Sequence, residues 1–208
     1  TADILNGALD GALDLAAAGG LGVAEAAGIA ATALKTFNLE GSDMAHVADL
    51  LAAGAGKAMG DVTDLSAALN QSAMVANATG LSIEETTAAL SAFASQGLLG
   101  SDAGTSFKSM LQSLTPTSAK ARETMDQLGI SAYDAQGNFV GLAEFAGSLQ
   151  AGLADLSVEQ QQTALKTIFG SDAIRAATVL YSEGEDGIRD WIEAVDDQGY
   201  AAEQAAAR

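Results

Sequence analysis

The stretch Gly80-Leu81-Ser82-Ile83-Glu84-Glu85-Thr86-Thr87-Ala88-Ala89-Leu90 decides how the chain is built. Ser82 followed three residues later by Glu85 is a capping box. The serine hydroxyl can take an N–H of the first turn while the glutamate reaches back to the serine N–H. Gly80 just before it reads as a helix stop, since glycine accepts the left-handed turn that ends many helices. One helix therefore ends and another begins within six residues. The apolar periodicity after the box carries the new helix from Ile83 to Ser95.

Working outward, the same alternation recurs. Helices are expected over 2–18, 23–37, 43–59 and 62–78, the first with Ile4, Leu5, Ala8, Leu9, Ala12 and Leu15 on one stripe and the last with Asp61 as its N-cap. Beyond the quoted stretch they are expected over 102–114, 142–154, 158–169, 172–181 and 186–195. Thr115-Pro116 reads as a further helix start, Thr as cap and Pro at the first helical position, running to Leu128. The last residues are Ala-rich and favour helix. Glycines at 41, 80, 100, 129 and 170 read as stops. Gly-Ser-Asp recurs at 41–43, 100–102 and 170–172; it reads either as an old duplication or as a convenient joint in which Gly ends one helix and Ser or Asp caps the next. Ile130 to Val140 departs from the pattern. β-branched and aromatic residues flank Gln136-Gly137-Asn138, so one small β-hairpin is expected there. The fold class is all-α in the main, many short helices joined by glycine turns.

Composition agrees. Of the 208 residues 49% are hydrophobic but only 5% aromatic, so the apolar content is mostly Ala with Leu, Val and Ile, and Pro116 is the one proline. Ala and Leu are strong helix formers, whereas each of the 23 glycines would cost a helix interior about 1 kcal/mol relative to Ala.

The net charge of −18, with nine Lys and Arg, leaves no cationic patch to displace counterions from phosphate, so direct nucleic-acid binding is not expected. Anionic lipid would repel the chain too. Cysteine is absent, which removes disulfides, thiolate nucleophiles and Cys-based metal sites. The chain opens at Thr1 without a basic and apolar leader, so it reads as an excerpt without a secretory signal. The Ala/Gly-rich stretch Ala12 to Leu34 comes nearest to a membrane span, but Asp14 and Glu25 interrupt it.

Chemistry finds little footing. His46 is the only histidine and lacks the partners a triad or a metal site needs. Gly54-Ala55-Gly56-Lys57 lacks the spacing of a phosphate loop. The carboxylates are spread along helices, Asp134 to Asn138 lacks the acidic spacing of a calcium loop, and Glu183-Gly184-Glu185-Asp186 reads as a solvated helix start. No catalytic, cofactor-binding or metal residue is expected, and no enzyme.

From Val62 to Tyr181 an ordered set of short motifs says more. It runs Gly80-Leu81-Ser82-Ile83-Glu84-Glu85, Ala88-Ala89-Leu90, Gly97 to Gly100, Ser101-Asp102-Ala103-Gly104-Thr105-Ser106-Phe107-Lys108, Leu114-Thr115-Pro116, Leu128-Gly129-Ile130-Ser131, Asp134 with Gly137-Asn138, Leu156-Ser157, and Phe169-Gly170. In this order the set resembles the conserved helical domain of tail tape measure proteins from long-tailed phages and prophages. Phe107 stands where the family more often has a smaller apolar residue. The chain thus reads as three parts: an Ala/Gly-rich helical part over 1–60, the conserved domain that the resemblance implies over 61–182, and an acidic helix over 183–208. The resemblance gives structural weight to Gly80, Leu81, Ser82, Glu84, Gly97, Ser101, Ala103, Gly104, Thr105, Pro116, Leu128, Gly129, Gly137, Phe169 and Gly170.

It also implies a structural virion protein of the tail interior, synthesised in the host cytoplasm. Such proteins lie in the tail tube or tip, take part in tail assembly and length determination, and leave ahead of the genome on ejection. The implied partners are other copies of itself, often three, and tube, tip or baseplate proteins, with membrane contact only during ejection. A membrane-active segment built on Ala12 to Leu34 is the alternative reading.

Overall fold

In the computed structural model residues 2–207 are described, with side-chain environments from residue 7 to 207. Ile4 and Leu5 of the first stripe lie outside the described side chains. Ten α-helices follow in order: α1 (Ala2–Gly19), α2 (Val23–Thr36), α3 (Met44–Gly56), α4 (Val62–Thr79), α5 (Ile83–Ser95), α6 (Gly100–Ser113), α7 (Ala119–Leu128), α8 (Leu142–Leu153), α9 (Val158–Val195) and α10 (Tyr200–Ala206), with a short 3₁₀ turn (Gly41–Asp43) before α3. The all-α expectation holds among the described residues.

The helices turn back on one another because most joints share one geometry. At Gly20-Leu21, Asn38-Leu39, Gly80-Leu81, Gly97-Leu98 and Gly129-Ile130 the first residue has positive φ, between 55° and 103°. The second residue's N–H returns five residues to a carbonyl of the finishing helix: Leu21 to Ala16, Leu39 to Leu34, Leu81 to Ala76, Leu98 to Phe93 and Ile130 to Met125, at 2.8–3.0 Å. This is the Schellman ending, which satisfies carbonyls the helix leaves open and sets an apolar residue against its last turn. Leu81, Leu98 and Ile130 are buried there. A side chain with a Cβ is costly in the left-handed conformation, which explains glycine at four of the five sites.

Helix α9 is the spine. Helices α5, α6 and α8 all pack on it, and α7 packs chiefly on it; α4 lies against α6 and α5, and α1 joins α2, α3 and α10. At 38 residues α9 would run about 57 Å if straight. It is broken by positive-φ, non-helical backbone at Gly170 (φ 74°, ψ −174°) and Gly184 (φ 66°, ψ −169°), so it falls into the three stretches the periodicity suggests. A single apolar cluster of buried residues runs from Leu15 to Ala201.

Three expectations are corrected. No hairpin forms at 130–140; one isolated bridge pairs Tyr133 with Phe139. The reason is Asp134. Its carboxylate accepts the N–H groups of Gln136 and Asn138 and the Asn138 side-chain amide, at 2.8–3.1 Å, so donors a strand ladder would use are spent on the turn. Thr115-Pro116 does not start a helix. Thr115 shares its hydroxyl with Tyr133 at 3.2 Å, and the helix begins later, where Ser118 accepts the Ala121 N–H at 3.0 Å. The three Gly-Ser-Asp copies are not one joint. At 41–43 Asp43 and Glu40 cap each other around the 3₁₀ turn. At 100–102 all three residues lie in the first turn of α6 behind Leu99, which donates no side-chain cap. At 170–172 the glycine breaks α9.

No single described helix is long and apolar enough to cross a membrane. Only Gly7–Gly19 and Val23–Thr36 taken together reach the length and composition, and the pair is bent by 114°.

Candidate functional site: the motif-bearing helix crossings

The quoted stretch ties three helices together. Ser82 accepts the Glu85 N–H at 3.1 Å and Glu85 Oε2 accepts the Ser82 N–H at 3.2 Å, which is the expected box. The other oxygen of Glu85 accepts the Leu142 N–H at 3.0 Å, so one carboxylate caps α5 and α8 together. Glu84 faces away from this and meets His46 of α3, Nε2 to Oε1 2.7 Å. Burial pushes the Glu84 carboxyl up, but hydrogen bonds from His46, its own backbone N–H and Ser82 outweigh this and hold it below its ordinary 4.5. The histidine is thus spent on a structural pair, with Asp196 near its other ring nitrogen at 3.8 Å.

Ala103-Gly104-Thr105 marks the closest crossing. A Cβ on Gly104 would collide with the Ala68 carbonyl, so α6 and α4 meet backbone to backbone. Ala103 is buried in the same contact, while Thr105 and Ser101 face outward. Gly54 makes a second close crossing, where a Cβ would stand 2.8 Å from Ser91 Oγ and 2.9 Å from Thr87 on α5. The next residue on α6 with a polar task is Ser106, fully buried, whose hydroxyl accepts the Ala176 N–H of α9 at 3.1 Å.

Phe107 fits its place despite its size: it is fully buried with its ring edge-on to Phe93, centroids 5.3 Å apart. Phe169 ends a file of rings that runs Tyr133, Phe139, Phe145, Phe169 at centroid spacings of 6.3–6.5 Å. The motif residues therefore differ in what they hold. Leu81, Ser82, Glu84, Ala103, Gly104 and Phe169 lie at the helix contacts just described, Gly80 and Gly170 end or break a helix in open space, and Ser101 and Thr105 are exposed. Gly97, Leu128, Gly129, Gly137 and Pro116 shape outlying turns.

Among the described residues no group of three or more His, Asp and Glu side chains is placed to hold a metal. What the arrangement does is hold helices at fixed angles. The recurring Gly/Asn–Leu/Ile joint was missed by the sequence reading, though the five dipeptides stand in plain view. The His46–Glu84 pair was missed too, because the two residues lie 38 positions apart along the chain.

The model of the phage-related minor tail protein family matches residues 1–170. The match thus reaches through the first 60 residues, beyond the stretch that carries the resemblance. The chain is 33% identical over 199 residues to the tape measure protein of Pneumococcus phage Dp-1, covering 96% of this chain and 17% of that protein. It is 34% identical over 160 residues to the probable tape measure protein of Escherichia phage P2, covering 76% of this chain and 20% of that protein. The chain therefore spans about one fifth or less of the curated relatives it matches. No solved structure matches it.

Proposed function

The chain belongs to the phage-related minor tail protein family, the family of tail tape measure proteins and a structural one, and on that premise we propose that these residues form a jointed packing domain of a longer tail protein. The whole protein contributes to tail assembly and length determination and resides in the virion tail, in the tube or near the tip, until the genome is ejected. The domain's own task is to dock on tube, tip or baseplate proteins and on other copies of itself. Its three parts, 1–60, 61–182 and 183–208, act as sections of one packed unit, with the motif residues as its structural joints.

One observation carries this reading. A ruler converts residues to distance at ~1.5 Å each only while the helix runs straight. Here five of the joints between helices are left-handed turns that fold the chain back, and even the 38-residue α9 is broken twice. The acidic surface suits a protein that shares a tube with DNA without adhering to it.

An in-frame deletion of these residues in the encoding phage tests the reading, with tails measured by electron microscopy. A packing domain predicts absent, irregular or tipless tails. Uniformly intact tails shortened by about 310 Å, the length of 208 residues as straight helix, would overturn it.

The membrane-active alternative draws on Leu9, Leu13 and Val23, which are exposed on α1 and α2. Against it, Leu15, Ala26, Ala30, Ala33 and Leu34 of the same pair are committed to the core. The packing reading expects no dye leakage from anionic or zwitterionic liposomes. Leakage abolished by deleting 12–34 would favour the alternative.

A further inference from the structure

Three polar side chains of α3 and the residue after it reach the same distant segment. Asp49 Oδ2 accepts the Gly199 N–H at 2.8 Å and Oδ1 accepts the Ala201 N–H at 2.9 Å. Lys57 donates to the Ala194 carbonyl at 2.7 Å, pairs with the Asp197 carboxylate, and sits 5.2 Å over the Tyr200 ring. His46 stands 3.8 Å from Asp196. Positions 46, 49 and 57 share a helix face, 11 residues being close to three turns.

The segment they hold also lies against α1, but it buries little apolar surface. Helix α10 has seven residues and buries only Ala201. It is entered through Asp196 (φ −81°, ψ 60°) and Gly199 (φ 85°), a ready hinge. Beneath it lies a groove of small residues, Ala18, Gly19, Ala52, Ala55 and Gly56, closed over by Tyr200 and Gln204. A Cβ on Gly56 would strike the Tyr200 hydroxyl, so the tyrosine rests directly on the α3 backbone.

We propose that residues 196–206 are a releasable strap, clasped by the polar row on α3, which opens as a unit while the rest of the molecule stays folded. Its polar attachments are ionic or charge-assisted, and the ion pairs are partly solvated, so salt screens them. The Asp49 bonds to two backbone N–H groups are the strongest part of the clasp. Local opening of this kind belongs to segments with little apolar burial, and here it bares the small-residue groove beneath Tyr200 and Gln204.

Hydrogen exchange followed by mass spectrometry on the whole chain decides the matter. It compares the unaltered protein, Asp49→Asn and Lys57→Met, each at low and high potassium chloride. The strap predicts that 196–206 exchanges well before α5, and that Asp49→Asn speeds its exchange by about tenfold or more with α5 unchanged. Lys57→Met and added salt should give smaller accelerations confined to the same residues. Exchange of 196–206 only at the rate of α5 would overturn the proposal. Early exchange that ignores salt and both substitutions would overturn the clasp. The salt series needs no variant, so misfolding of Asp49→Asn cannot decide the result.

Discussion

Helices α5 and α7 begin and end alike, yet they are held in opposite ways. Each starts on a serine that accepts the N–H three residues on, Ser82 from Glu85 and Ser118 from Ala121. Each is followed by a left-handed glycine turn with an apolar residue folded back, Gly97-Leu98 and Gly129-Ile130. But α5 buries nine of its thirteen residues, an unbroken run from Thr86 to Phe93 among them, while α7 buries only Ala121 and Met125 of ten. Local signals set where a helix starts and stops. What surrounds it decides its weight in the fold.

The largest effect that would sharpen this contrast is Gly104→Leu. The side chain would have to occupy the Ala68 carbonyl at the α4–α6 crossing, and no relaxation of a flexible group can admit it. Loss of a cooperative thermal transition is expected; a normal melt would show that the crossing can open.

Next comes a matched pair. Leu90→Ala on α5 should cost about 2–5 kcal/mol in urea unfolding. Met125→Ala on α7 should cost roughly 1–2 kcal/mol, because a peripheral helix can settle into the space left behind. Equal costs would break the comparison.

Acid makes a smaller test. The folded Glu84 carboxyl lies below its ordinary 4.5, so its pair with His46 adds stability above that value and loses it as pH falls through the folded one. Glu84→Gln should therefore flatten the decline of unfolding midpoint between about pH 5 and 3. A decline of unchanged steepness would mean that other carboxylates govern it.

The smallest effect concerns Thr87. Its hydroxyl is buried on α5 without a partner, while neighbouring Thr86 and Ser91 bond to carbonyls one turn back. Thr87→Val keeps the shape and removes the unsatisfied group, so a gain of roughly 0.5–1 kcal/mol is expected. A loss would point to a hydrogen bond at that hydroxyl.

Much of the fold was legible because its signals are short-range. The Ser82–Glu85 box, the Asp61 cap and the Gly80 and Gly129 stops are read from residues three to five apart, and the structure places them so. The misreadings came where a side chain chose a partner the spacing does not show. Asp134 took the turn's N–H groups, Thr115 bonded Tyr133, and Ser118 rather than Thr115 capped α7. The clasp on α3 joins residues 150 positions apart, and no local pattern announces it. The Gly/Asn–Leu/Ile joint was hidden differently. Its apolar residue reads as one more beat of helical periodicity, although it marks the point where the helix has ended.

Solution scattering on a dilution series of the 208-residue chain tests the central claim most directly. A jointed domain of this length should give a radius of gyration of about 17 Å. A straight helical ruler about 310 Å long would give several times that value, and such a result would contradict the account.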